Sequence, residues 1–207
     1  MTRFSVLLAG FFLFLHAAIA EPVTVLAFGD SLTAGYGLEP AQAFPAKLEA
    51  ALRAEGLDVT VRNAGVTGDT AEAGLARLDW SLDGNVNAVI VELGANDALR
   101  GLPPAGAEAA LDQILTRLDA LKLPVLIAGM QAPRNLGPDY AAAFDPIYAR
   151  LAAKHGALLY PLYLEGVAFD PALNQPDGMH PNGKGVDVIV ARMLPAVQQL
   201  IAKANAK

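Results

Sequence analysis

The sequence predicts a doubly wound α/β protein, with a five-stranded parallel sheet of order 2-1-3-4-5 covered by helices on both faces. Short apolar runs alternate with longer segments of helical periodicity along the chain. The runs contain almost no polar residues, as expected of strands buried on both sides. Right-handed crossovers in a chain of 207 residues favour this order, and that length suits one domain with a full-sized core.

The first strand is read as Val23–Phe28. A helix follows over about Pro45–Glu55, where Pro45 suits a first helical position and Gly56 a C-terminal cap. Val59 and Val61 lie in a second strand ending near Asn63. Asp69-x-x-Glu72 resembles a capping box for the next helix, whose apolar face is Leu75, Leu78 and Leu82. The third strand is Ala88–Leu93, and Leu111, Ile114, Leu115, Leu118 and Leu121 then recur at helical spacing. Pro124–Ala128 is the fourth strand. Tyr140–Lys154 reads as helix, either restarting with Asp145 as its cap or kinking at Pro146. Ala157–Tyr160 is a short fifth strand, and a final helix runs from about Gly183 to Ala204, bent at Pro195.

Composition narrows the function. Apolar residues are 54% and charged residues 17%, so the chain is globular. A net charge of −6 argues against nucleic acid as a partner and against docking on anionic lipid through a basic patch. Arg3, the apolar run Phe4–Leu15 and Ala18-Ile19-Ala20 read as a secretory signal peptide, residues 1–20, leaving a domain over 21–207. The competing reading is a membrane anchor, for which the run is short. Cleavage leaves no stable membrane insertion and a periplasmic or secreted protein. Without cysteine there is no disulfide, and stability must come from the core.

Polar residues stand where the strands end. Phe28-Gly29-Asp30-Ser31 follows the first, Asn63-Ala64-Gly65 the second, and Gly94-Ala95-Asn96-Asp97 the third. Asp177-Gly178-Met179-His180 lies in the long loop after the fifth. In a parallel sheet these ends share one edge, and ligands bind there where strand order reverses. Gly-Asp-Ser also describes ordinary turns, and Asp-Gly-Met-His also describes a capped turn with a surface histidine. Together they suit nucleophilic catalysis. Asp177 can accept from His180 Nδ1–H, which frees Nε2 to take a proton from Ser31. The Ser31 N–H, the Gly65 N–H and the Asn96 amide could hold an oxyanion. His155, before Gly156, suits a helix C-terminus instead.

Gly29-Asp30-Ser31-Leu32, Gly65, Gly94-x-Asn96-Asp97 and Asp177-x-x-His180 resemble, in order, the four blocks of the SGNH, or GDSL, hydrolases. The runs Asn63–Thr70 and Glu92–Gly101 look like the periplasmic thioesterase I/lysophospholipase, or arylesterase, group. The resemblance implies a three-layer α/β/α sheet of flavodoxin-like order. It implies Ser31 as nucleophile, His180 as base and acid, Asp177 as its orienting partner, and Ser31, Gly65 and Asn96 as the oxyanion hole. No metal or organic cofactor is implied. Ala95 departs from a pattern in which relatives often carry glycine. Gly-x-Ser-x-Gly is absent around Ser31, which argues against an α/β-hydrolase fold.

The expected reaction is two-step hydrolysis of a small-molecule acyl ester or thioester, with lysophospholipids among the candidates. Gly101–Pro104, Met130 and Tyr160–Phe169 are candidates for an acyl groove. The rival readings are a carbohydrate O-acetyl esterase and a non-catalytic ligand-binding module. Flavin or nucleotide binding on such a sheet would need the loop that Ser31 occupies.

Overall fold

The expected apolar runs become β1 (Val23–Gly29), β2 (Val59–Gly65), β3 (Ala88–Glu92), β4 (Val125–Ala128) and β5 (Leu158–Tyr160). All neighbours pair in parallel, in the order β2-β1-β3-β4-β5. This is a computed structural model in which residues 22–206 are described. The expected leader, residues 1–20, lies outside the described residues, as do Glu21 and Lys207.

The helices are α1 (Ser31–Ala34), α2 (Phe44–Ala54), α3 (Ala71–Ser81), α4 (Ala95–Leu99), α5 (Pro104–Ala120), α6 (Pro138–Phe144), α7 (Ile147–His155) and α8 (Gly183–Asn205). Helices α2 and α8 pack together on one face of the sheet, while α3, α5 and α7 pack side by side on the other. The change of face follows from right-handed crossovers. The chain steps outward from β1 to β2 through α2, then reverses direction through α3. The long helix α8 is apolar enough to pass a length-and-composition test for a membrane span. Its apolar face, including Ile189, Met193 and Leu200, is instead buried in the core.

Local chemistry sets several boundaries differently from the expectations. Helix α3 is capped by Thr70, whose hydroxyl accepts from Ala73 N–H, because the Asp69 carboxylate is taken by Arg77. Its buried stripe is Ala71, Gly74, Leu78 and Ser81, with Leu75 and Leu82 at the margin. At Pro146 the helix restarts rather than kinks. Asp145 closes α6, and its carboxylate accepts from Ala132 N–H and Arg134 instead of capping α7. Helix α8 begins at Gly183, as expected, with Asn182 as its cap. The Asn182 side chain accepts from the Lys184 and Gly185 N–H groups. The helix then continues through Pro195.

Strand register determines where the site forms. Gly29 of β1 lies beside Gly65 of β2 on one side and Glu92 of β3 on the other. The chain leaves all these strands at the same edge.

Candidate active site

Ser31 opens α1 directly after β1. The turn is closed by Asp30, whose Oδ1 accepts from Leu32 N–H at 2.9 Å. Beneath it, Glu92 Oε2 accepts from the Thr33 hydroxyl at 2.7 Å and from Asp30 N–H at 3.3 Å. A side chain on Gly29 would overlap Thr33 Oγ1 and Glu92, so only glycine allows this packing.

His180 comes from the other end of the chain. Its Nε2 lies 3.0 Å from Ser31 Oγ, and its Nδ1 lies 2.6 Å from Asp177 Oδ2. A carboxylate can only accept, so Nδ1 carries the proton and Nε2 faces Ser31 as an acceptor. The other Asp177 oxygen, Oδ1, accepts from the Met179 and His180 N–H groups. These backbone bonds, and then the imidazole, hold the Asp177 carboxyl down at about 2. The Tyr36 ring lies against the imidazole, with centroids 4.7 Å apart. Gln175 ties the His180 loop to the Ser31 turn, donating from Nε2 to the carbonyls of Tyr36 and Pro181.

Asn96 lies in α4, just past β3. Its Nδ2 is 2.9 Å from both Asp30 Oδ2 and Asp69 O. The rest of α4 also grips the loop after β2. Asp97 accepts from Ala71 N–H, and Arg100, just past the helix, donates to Gly68 O.

Gly65 does not occupy the expected donor position. Successive strand residues point their N–H groups to opposite sides, and Val66 N–H faces inward to Gly29 O at 3.0 Å. The Gly65 N–H therefore faces away from β1 and donates to Asn63 Oδ1 at 2.9 Å. Gly65 is glycine for another reason. A side chain there would overlap the backbone of Ala34. The N–H of Gly68, farther along the same loop, has no acceptor among the described residues, and neither has that of Ser31. Gly68 has φ +87°, and Gly68-Asp69 is a turn dipeptide visible in the sequence.

Several expected groove residues lie elsewhere. Met130, Tyr160, Tyr163 and Val167 are buried in the core, while Phe169 is almost fully exposed. Not anticipated from sequence were the buried acid Glu92 and the charges Asp69 and Arg77 behind the site. Burial, then the nearby Asp30 charge, pushes the Glu92 carboxyl well above the usual range. Burial also raises Asp30, to about 6, against the opposing pull of Leu32 N–H and His180.

The sequence profile of the GDSL-like lipase/acylhydrolase family matches residues 27–188, which span Ser31 to His180. The chain belongs to that family. Esterase TesA of Pseudomonas aeruginosa is 38% identical over 183 residues, covering 88% of this chain and 91% of the relative. Thioesterase 1/protease 1/lysophospholipase L1 of Escherichia coli K12 is 38% identical over 187 residues, 90% of this chain and 88% of the relative. The solved SGNH-hydrolase family esterase AlinE4 superposes with a TM-score of 0.74 at 48% identity, over 88% of this chain and 98% of its own. This GDSL-family protein is accordingly an enzyme that hydrolyses ester bonds.

Proposed function

We propose that the enzyme hydrolyses acyl esters through an acyl-enzyme on Ser31. The supporting observation is the continuous Asp177–His180–Ser31 hydrogen-bond chain. Ser31 Oγ attacks the substrate carbonyl while His180 Nε2 takes its proton. The new imidazolium is stabilised by Asp177. The tetrahedral oxyanion is met by the N–H groups of Ser31 and Gly68 and by Asn96 Nδ2. The two amide hydrogens of Asn96 face Asp30 and Asp69 O in the free protein. An oxyanion is a stronger acceptor than the neutral Asp69 carbonyl and draws one of them over. Collapse expels the alcohol or thiol, protonated by His180. Water follows the same path and releases the acid.

Apolar acyl groups suit the rim. Tyr36, Val66, Leu99, Leu102 and Met179 are exposed on the segments that follow the strands at the site's edge. Short to medium acyl esters, thioesters and lysophospholipids are the substrates we assign. The sequence of residues 1–20 supports export, so the mature enzyme is placed in the periplasm or outside the cell.

A fluorophosphonate probe tests the chemistry. Native protein is expected to gain the probe's mass on Ser31, while denatured protein and Ser31→Ala gain none. Equal inertness of native and denatured protein overturns the reading. A panel of acyl esters and acetylated sugars then fixes the acyl class.

A further inference from the structure

We propose that Arg77 is a positioning residue for the oxyanion side of the site, acting through Asp69 on Asn96. The proposal deepens the acyl-enzyme reading and rests on it. Arg77 lies on α3, behind the sheet edge, and touches none of the groups that would meet substrate. Its side chain is 17% exposed and that of Asp69 is 12% exposed, so water does little to weaken their pairing.

The guanidinium joins three pieces of chain that must be held together. Nε donates to Asp69 Oδ2 at 2.6 Å. One terminal nitrogen donates to Ala64 O at 2.9 Å and to Ser81 Oγ at 3.1 Å. The other donates to Gly29 O at 2.9 Å, and the guanidinium carbon lies 4.3 Å from the centre of the Phe28 ring. Gly29 is the last residue of β1 before the nucleophile turn, and Ala64 is next to last in β2. Asp69 closes the loop after β2, and its carbonyl oxygen accepts from Asn96.

One planar cation therefore sets the distance between the nucleophile's strand and the loop carrying Gly68 and Asp69. A lysine ammonium, compact and strongly hydrated, cannot reach all these acceptors in one plane. Loss of Arg77 should therefore show in one place only. Triad contacts run through the His180 loop, and none of them involves Arg77. None of Arg77's partners is a rim residue that would hold the acyl group either. A displaced loop weakens oxyanion stabilisation alone.

The test compares Arg77→Lys, Asn96→Ala and the double variant on one p-nitrophenyl acyl ester, with kcat, KM, the pH profile and Tm measured for each. Arg77→Lys is expected to lower kcat by about 10²-fold with KM nearly unchanged, the size of effect a small misplacement of a reacting group produces. The double variant is expected to fall well short of the product of the two single losses, because both changes weaken the same oxyanion stabilisation. The pH profile keeps its shape. Asp69→Asn, which leaves the bonds to Gly29 and Ala64 available, repeats the pattern if Arg77→Lys does not fold. Losses that multiply, a raised KM at unchanged kcat, or full activity in both Arg77→Lys and Asp69→Asn overturn the role of Arg77 while the acyl-enzyme reading stands. An Asn96→Ala enzyme with wild-type kcat overturns the oxyanion assignment, and this proposal with it.

Discussion

His180 Nε2 lies 3.0 Å from Ser31 Oγ, across 149 positions of sequence. Each side chain is set by its own tight turn, so the contact depends on the sheet bringing two rigid loops together. Ser31→Ala and His180→Ala should each lower kcat by about 10⁴-fold or more, and the double variant should be little worse than either, since the pair acts as a unit. Initial rates on a p-nitrophenyl ester measure this. Multiplying losses would mean that the two residues act separately.

Asp177 should matter through the imidazole tautomer. Asp177→Asn presents an amide to Nδ1 and favours the tautomer in which Nε2 is protonated and faces Ser31 wrongly. A loss of roughly 10²–10⁴-fold in kcat is expected, the upper figure being the effect known for a fully buried aspartate. Because the carboxyl is held at about 2, it stays ionised across any practical assay. Its contribution to stability is present above its ordinary 3.8 and is lost only as pH falls from there towards about 2. Activity lost near pH 5 would therefore not come from Asp177.

The two loop glycines should behave differently on substitution. Gly65→Ala drives a methyl group into the Ala34 backbone and should cost about 1–3 kcal/mol of stability through overpacking. Gly68→Ala has room around the new carbon but a φ of +87°, and should instead reduce kcat as the loop shifts to relieve that strain. Urea melts and kcat on the same samples separate the two effects. Comparable activity losses with unchanged melts in both would return Gly65 to the donor role.

Burial, and then the Asp30 charge, push the Glu92 carboxyl beneath the Ser31 turn well above its ordinary range, favouring its neutral form. A carboxyl raised on folding favours the native state below its unfolded value near 4.5, and that advantage is lost as pH rises towards the folded value. Glu92→Gln cannot ionise and keeps an acceptor for Thr33 and Asp30. Its stability should overtake that of the wild type progressively above pH 5, by at most about 1.4 kcal/mol per pH unit, and its Tm should rise relative to wild type in step. Glu92→Ala leaves the Thr33 hydroxyl and the Asp30 N–H unpaired and should destabilise by about 1–3 kcal/mol for each. Parallel Tm curves for wild type and Glu92→Gln would show that Glu92 is ionised in the folded protein.

His155 offers a control far from the site. Burial works against its charge, but the Asp112 and Asp119 carboxylates at its two nitrogens outweigh that and raise it above the ordinary 6.5. The stability from this α7–α5 link is full below 6.5 and declines as pH rises through the raised value. His155→Gln should lower Tm most near pH 5.5 and least near pH 9, with kcat unchanged. A constant difference across that range would mean that the ring is neutral throughout.

The sheet order was legible because the strands are nearly pure apolar runs, and chirality leaves few ways to connect them. That Ser31, Asn96, Asp177 and His180 gather at one edge is legible because each lies in a segment that follows a strand, and a parallel sheet brings such segments together. The Gly65 N–H points away from the expected donor position for a geometric reason. Which N–H faces the site depends on strand parity and loop dihedrals, and Gly65 and Gly68 look equally suitable in a string of letters. Asp145 illustrates a different limit. It stands where a cap is expected before the Pro146 break, but Ala132 and Arg134, distant in sequence, compete for its oxygens. Arg77 is invisible for the same reason: an arginine in the middle of an amphipathic helix reads as a solvated charge until the strand ends it binds are placed around it.

The base enters from the segment just before α8, whereas the nucleophile stands just after β1. A polypeptide that stops short of that segment can carry a well-formed serine turn and still be inert. On the proposed mechanism, hydrolytic competence thus arises only when the molecule has closed upon its own far end, and a nascent or unfolded copy leaves the esters around it intact.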